Sequence, residues 1–182
     1  MSNPLQPIDT PTEAEIELAA SILSRLPGGF LPLPIFHEVA RLVTTPTMEV
    51  APMRMAANGI AEILLTYRND KHWQGWHIPG TVIRSTDEPD SFHTGFQRVL
   101  TEELNGSVTY LTEPQYVNQK FWDVARGREL DAVHFVEVSV ADESQLPGTF
   151  FAVNAIPEDT VEHHKIMIPE IAEAYLQYKS SL

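Results

Sequence analysis

The chain has 182 residues, 43% hydrophobic and 20% charged, which is enough to bury one sizeable core. Its formal net charge of −13 disfavours partners held by phosphate neutralisation, such as duplex nucleic acid or an anionic membrane surface. The absence of cysteine excludes disulfides, thiolate zinc sites and cysteine nucleophiles.

The chain opens with "MSNPLQPIDTPTEAE", acidic and proline-rich, unlike a secretory leader. No later run approaches the roughly 18 apolar residues of a membrane span, so a cytoplasmic protein is the expectation. Thr10 or Thr12 can cap a helix over 13–26, where Ile16, Leu18, Ala19, Ile22 and Leu26 recur at helical spacing before "PGGF" ends it. A second short helix over 34–42 carries Ile35, Phe36, Val39 and Leu42, and "TTPT" is expected to break it. Residues 1–46 therefore form an N-terminal helical extension, and 47–182 a second unit.

From Met48 the pattern shortens to strand length. "MEVAPMRM" and "IAEILLTYR" flank Asn58-Gly59, a strong hairpin signal. "WQGWHIPGTVIRSTDEPD" gives a strand, a glycine turn and a polar loop, and a helix is expected from about Asp90 to the stop at Asn105-Gly106. "SVTYLT", "PQYVNQKFWDV", "LDAVHFVEVSVA" and "TFFAVN" read as strands, with "RGRE" as a turn, and a last helix spans 162–178. A strand-rich stretch interrupted by one helix and closed by another predicts an α+β fold with a mixed sheet.

At 100° per residue, Phe92, Phe96, Val99 and Leu100 make one apolar stripe on the middle helix, and Glu103 falls within it. Glu102 sits to one side, four residues from Arg98, as expected of a surface ion pair. A carboxylate on an apolar stripe must be paired, hydrogen-bonded or metal-bound unless the helix frays and releases it to water; both readings of Glu103 stay open. Upstream, "WHIPG" places a strand and a glycine loop before the helix. Carboxylates facing such a loop can hold a hard divalent cation that bridges a diphosphate.

In these residues the chain resembles the Nudix hydrolase family, the MutT-like enzymes. Arg98, Leu100, Glu102 and Glu103 match the arginine, aliphatic and paired glutamate positions of its motif, Asp90 stands at the first glutamate position, and "IPG", Ile78 to Gly80, resembles the opening proline-glycine. Val99 replaces the glutamate that follows the arginine, Asn105 takes the glycine position, and the loop from Gly80 to Asp90 is longer than the family's. The resemblance implies a Nudix-like α/β/α sandwich and metal-dependent hydrolysis of a nucleoside diphosphate linked to another moiety. It implies Mg²⁺ or Mn²⁺ on Glu102 and Glu103, Arg98 orienting them, and Asp90 as a further catalytic residue. With Val99 unable to take a proton, Asp90, Glu137 and His163 or His164 are the candidate bases.

Trp73, Trp76 and His77 lie close to Gly80, where aromatic faces can stack a base, or they are half-buried strand residues. Gly80, Trp76 and His77 are taken as the substrate-binding set. "HHK" at 163–165 and "ARGRE" at 125–129 can meet phosphate, or be a helix start and a solvated turn; His134 reads as a structural strand histidine. The alternative to an enzyme is a catalytically impaired Nudix-fold module that binds a nucleotide-like ligand in a regulatory role. A third reading is an interaction protein that forms a homodimer through its N-terminal helices.

Overall fold

The computed structural model describes residues 10–70, 73–89 and 92–182. Helix α1 (Glu13–Leu23) opens with a capping box: the Glu15 N–H donates to the Thr12 hydroxyl while the Thr12 N–H donates to the Glu15 carboxylate. None of its residues is buried. Helix α2 (Leu33–Leu42) has Pro34 in its first turn, where no donor is needed, and buries Ala40 alone.

Strand β1 (Thr44–Met55) begins earlier than the expected Met48. "TTPT" does not break the chain: Thr45 and Thr47 alternate inward and are buried, and the Pro46 carbonyl accepts the Ile83 N–H. Pro46 thus keeps its acceptor in the ladder although its ring supplies no N–H. The Asn58-Gly59 turn, with Gly59 at φ 81°, returns the chain into β2 (Ala61–Asn69), antiparallel to β1 with Met55 opposite Ala61. Strands β3 (Gln74–His77) and β4 (Gly80–Val82) follow, pairing with β2 and β1 respectively.

The expected single helix from Asp90 is two different pieces. Helix α3 (His93–Arg98) passes directly into a π turn, Val99–Glu103, whose signature is the Leu104 N–H bonding the Val99 carbonyl at 3.0 Å. Asp90 lies outside the described residues. Asn105 and Gly106, at φ 52° and 63°, end the turn in the left-handed region as expected.

Strands β5 (Thr109–Tyr110), β6 (Gln115–Val124), β7 (Gly127–Ser139) and β8 (Gly148–Ala152) lead to helix α4 (Glu162–Ser180). The sheet runs β3-β2-β1-β7-β5, with β4 joined to β1, β6 to β7 and β8 to β2. Only the β1–β7 pairing is parallel among the described strands, from Thr44 opposite Arg128 to Met53 opposite Glu137. The fold is α+β with a mixed sheet.

Both faces of the sheet are covered, which is why β1 reads as a nearly continuous buried run. Ala51, Met53, Ile63, Leu65, Val133 and Phe135 point to one face and pack on Met167, Ile168, Ile171 and Tyr175 of α4. Their alternates Val50, Leu64, Val136 and Val138 point to the other and pack on Val99 and Leu104 of the π turn. No helix among the described residues is long and apolar enough to cross a membrane.

Candidate functional site

A cleft of about 220 Å³ opens where β1, β3 and β4 meet the π turn and the start of α4. Its position follows from the sheet register. Glu49 lies opposite Gly80 in the β1–β4 ladder, and the Val50 N–H donates to the Pro79 carbonyl at 2.9 Å. The Glu49 carboxylate leans over Gly80 so closely that a Cβ there would collide with it. Glycine is needed at position 80 as the seat of that carboxylate.

Glu49 is only 9% exposed, and its Oε2 has no hydrogen-bond partner. Burial first, then Asp131 and Glu129, push its carboxyl well above the usual carboxylate range. The His164 Nε2 stands 3.9 Å from Glu49 Oε1. Because His164 Nδ1 accepts the Ile78 N–H at 2.8 Å, the neutral ring carries its proton on Nε2, facing Glu49. Burial, with His163, His77 and Arg68 adding to it, holds the His164 pKa well below the ordinary value. His77 donates through Nδ1 to the Thr66 carbonyl at 2.8 Å, and burial pulls its pKa down to about 4.

Glu102 and Glu103 line the cleft on the side of the π turn. Glu102 is exposed and its carboxylate stands 3.7 Å from Arg84, so the expected surface pair with Arg98 does not form. Arg98 turns inward instead, donating to both Asp87 oxygens at 2.6 and 2.8 Å, to the Val82 carbonyl at 2.9 Å and to Thr81 Oγ1 at 3.3 Å. This buried fork ties the loop after β4 to α3 and holds the Asp87 carboxyl below its ordinary pKa. Glu103 is half-buried; desolvation raises its carboxyl, Arg68 works against that, and Glu102 adds to it.

The cleft thus gathers Glu102, Glu103, Gly80 and His77 from the residues singled out in the sequence. Arg98 supports it from behind. Trp76 does not line it: its ring packs edge-on against Phe151 and Tyr67, at centroid separations of 4.9 and 5.3 Å. Trp73 takes the aromatic place, 5.3 Å from the His163 ring, and Trp122 stands 5.5 Å from the same ring. Of the candidate bases, Glu137 is bound to Lys179 at 2.9 Å and to the Tyr175 hydroxyl at 3.3 Å, away from the cleft, whereas His163 and His164 line it. His134 is ringed by Phe92, Phe96 and Tyr116 and donates to the Ala132 carbonyl at 3.1 Å, a structural role.

Three charged cleft residues escaped the sequence reading, Glu49, Arg68 and Arg84, whereas Arg126 and Glu129 belong to the "ARGRE" turn singled out there for phosphate. Glu49 had a signal, a lone carboxylate inside the apolar run "MEVAPM". Asp87 had one too, as one of three acids in "TDEPD". Glu129 pairs with Arg126, and Asp131, which accepts the Thr47 hydroxyl, is pushed up to about 7 by burial and by Glu129.

No protein-family profile matches the chain, and no curated protein does. Solved structures do resemble it. The Nudix domain of Shewanella oneidensis NrtR, in complex with ADP-ribose, superposes with a TM-score of 0.54 at 15% identity, over 86% of this chain and 97% of that one. The chain has the Nudix fold. A mutT/nudix family protein from Listeria innocua gives a TM-score of 0.52 at 18% identity over 76% and 98% of the two chains. The MutT Nudix hydrolase from Burkholderia pseudomallei gives 0.50 at 15% over 71% and 98%.

Within this Nudix fold, Val99 is fully buried between Val50, Val136 and Leu104, so the position that resembles a glutamate of the motif is closed to the cleft. The donors that remain fit a hard divalent cation in kind, since Glu102, Glu103 and the unpartnered Glu49 Oε2 all offer carboxylate oxygen. No three His, Asp or Glu side chains among the described residues form a ready cage.

Proposed function

We propose that the chain is a Nudix-type pyrophosphohydrolase acting on a nucleotide-like small molecule that contains a diphosphate. The observation that carries this reading is Glu49: a buried carboxylate with an unpartnered oxygen, seated over Gly80 in the same cleft as Glu102 and Glu103. The acid absent at Val99 of the helix is supplied by the sheet.

Glu102 and Glu103 would hold the Mg²⁺ or Mn²⁺ ion, whose charge neutralises the negative charge that develops on the phosphate oxygens. Glu49 Oε2 accepts the proton of the attacking water as its oxygen bonds phosphorus and the bridging P–O bond breaks. The His164 Nε2–H stands 3.9 Å from Glu49 Oε1, beyond hydrogen-bond distance, so Nε2 and Glu49 Oε2 are two unpartnered polar atoms left at the same end of the cleft. Arg98, locked on Asp87 and the Val82 carbonyl, fixes the start of the turn that carries both glutamates. Arg68, Arg84 and Arg126 line the cleft and offer guanidinium groups to phosphate oxygens in an otherwise acidic protein. We assign this activity to residues 47–182, together with residues 44–46 that begin β1, and treat the helical part before them as an appended segment, in keeping with the exposure of α1.

Incubation with a panel of nucleoside diphosphate derivatives and Mg²⁺ or Mn²⁺ tests the reading. Turnover is expected to fall by about 10²-fold to 10⁴-fold in Glu103→Gln and in Glu49→Gln. Turnover that persists unchanged in Glu103→Gln sinks the metal assignment. If no compound is cleaved but one raises the melting temperature, the chain is a ligand-binding module and the enzyme reading fails.

A further inference from the structure

We infer that an apolar groove between the N-terminal segment and the β4 loop binds the hydrocarbon end of the molecule whose phosphates occupy the cleft. This rests on the proposed diphosphate chemistry and narrows its substrate class to diphosphates carrying an extended apolar group.

The groove measures about 550 Å³ and lies under Leu26, Phe30, Phe36, Val39, Val43 and Ile83. Contacts of the Gly28-Gly29 turn close one end of it. The Gly28-Gly29 turn rests on the loop after β4: the Gly29 N–H donates to Ser85 Oγ at 3.1 Å, and a Cβ on Gly29, at φ 77°, would collide with the Thr86 side chain. The N-terminal segment is therefore anchored to the loop that also supplies Asp87 to Arg98.

Two observations select the occupant. Val82 and Arg84 line both the groove and the polar cleft, so the two hollows adjoin at those side chains. Thr45 lines the groove and Thr47 the cleft, two residues apart on β1, so the adjoining floors belong to a single strand. The junction is itself chemically graded. The Arg84 guanidinium, 3.7 Å from Glu102, is loosely held and stands where a phosphate passes into a hydrocarbon chain. Beyond it the groove walls are apolar side chains, with Phe30 at 62% and Val43 at 54% exposure along the rim. Apolar surface of this extent around a concavity is characteristic of a ligand groove, and an attached phosphate end gives the ligand its direction.

Equilibrium binding of decyl phosphate, butyl phosphate and 1-decanol to the full chain, below the micellar concentration, tests the inference. Each buried methylene tightens binding by up to about fourfold, so decyl phosphate is expected to bind at least about tenfold tighter than butyl phosphate. It should also bind at least about tenfold tighter than 1-decanol, which lacks the anionic end. Phe30→Asp and Val43→Asp change exposed rim residues and are expected to abolish the chain-length preference while the protein stays folded. Equal binding of the two phosphates overturns the inference and leaves the hydrolase reading intact. Equal binding of decyl phosphate and 1-decanol also overturns it, because the groove is then not continuous with the cleft. A decyl preference in a protein that cleaves no diphosphate supports the groove and sinks the hydrolase reading. If the groove instead holds a second copy of the chain, sedimentation reveals a concentration-dependent dimer that Val43→Asp dissociates, and the inference is overturned.

Discussion

Gly80 illustrates how one residue's meaning changes between sequence and structure. In "IPG" it resembles the opening of a phosphate-facing loop, yet its lack of a side chain makes room for the Glu49 carboxylate. Gly80→Ala is expected to displace Glu49, lowering turnover at least about tenfold and stability by about 1–3 kcal/mol. Parallel measurement of turnover and thermal unfolding checks this; an alanine variant with unchanged activity removes Glu49 from the chemistry. Glu102 and Glu103 were legible because adjacent acids before Asn105-Gly106 are conspicuous in a helical run. The partner of Arg98 was not. Spacing alone favours Glu102, four residues away, but a guanidinium that becomes buried needs a carboxylate able to follow it inside, and the loop acid Asp87 meets that need with two bonds.

At the scale of elements, the π turn decides which side chains reach the cleft. A wheel at 100° per residue assumes one uniform helix, and that assumption put Val99 and Glu103 on a single stripe. The bond from the Leu104 N–H to the Val99 carbonyl takes one residue more per turn. Val99 sinks into the core while Glu103 stays half-buried at the cleft wall. Val99→Glu is therefore expected to destabilise the fold by about 3 kcal/mol or more, because a carboxylate among Val50, Val136 and Leu104 has no partner. Denaturant unfolding measures it. A Val99→Glu variant of unchanged stability and higher turnover would mean that the position does open to the cleft. Alternation and the Asn58-Gly59 turn made the strands and the first hairpin readable. Pro46 misled the reading because a proline between two inward threonines resembles a break until its neighbours' partners are known.

For the molecule as a whole, the α+β order was legible in the sequence, and the cleft was legible only in part. Its members come from β1, the β2 end, the π turn, β7 and α4, and nothing local announces that Glu49, Arg68, Glu129 and His164 meet. Gathering them leaves a pH signature. His77 and His163 have pKa values near 4, so between about pH 6.5 and 4 the unfolded chain binds protons that the native one refuses. Their contribution is fully present above pH 6.5 and is lost as pH falls through 4. Asp131, raised to about 7, works in the opposite sense, contributing below its ordinary value and losing that as pH rises toward 7. His77→Gln is expected to reduce the acid loss of stability between pH 7 and 4.5 by up to about 3 kcal/mol, read from urea midpoints at the two pH values. A gap between parent and variant that is the same at both pH values contradicts the burial account. The parallel β1–β7 pairing also sets an order of assembly. Strand β1 can pair early with β2 and β4, but its parallel partner, residues 127–139, lies more than eighty positions later, so closing that loop carries a large entropic cost. During synthesis the strand bearing Glu49 finds β2 and β4 first, and its other edge must wait for β7 to emerge. A ribosome-bound product that stops before β7 would carry both helix glutamates over a floor that still lacks Val136 and Val138.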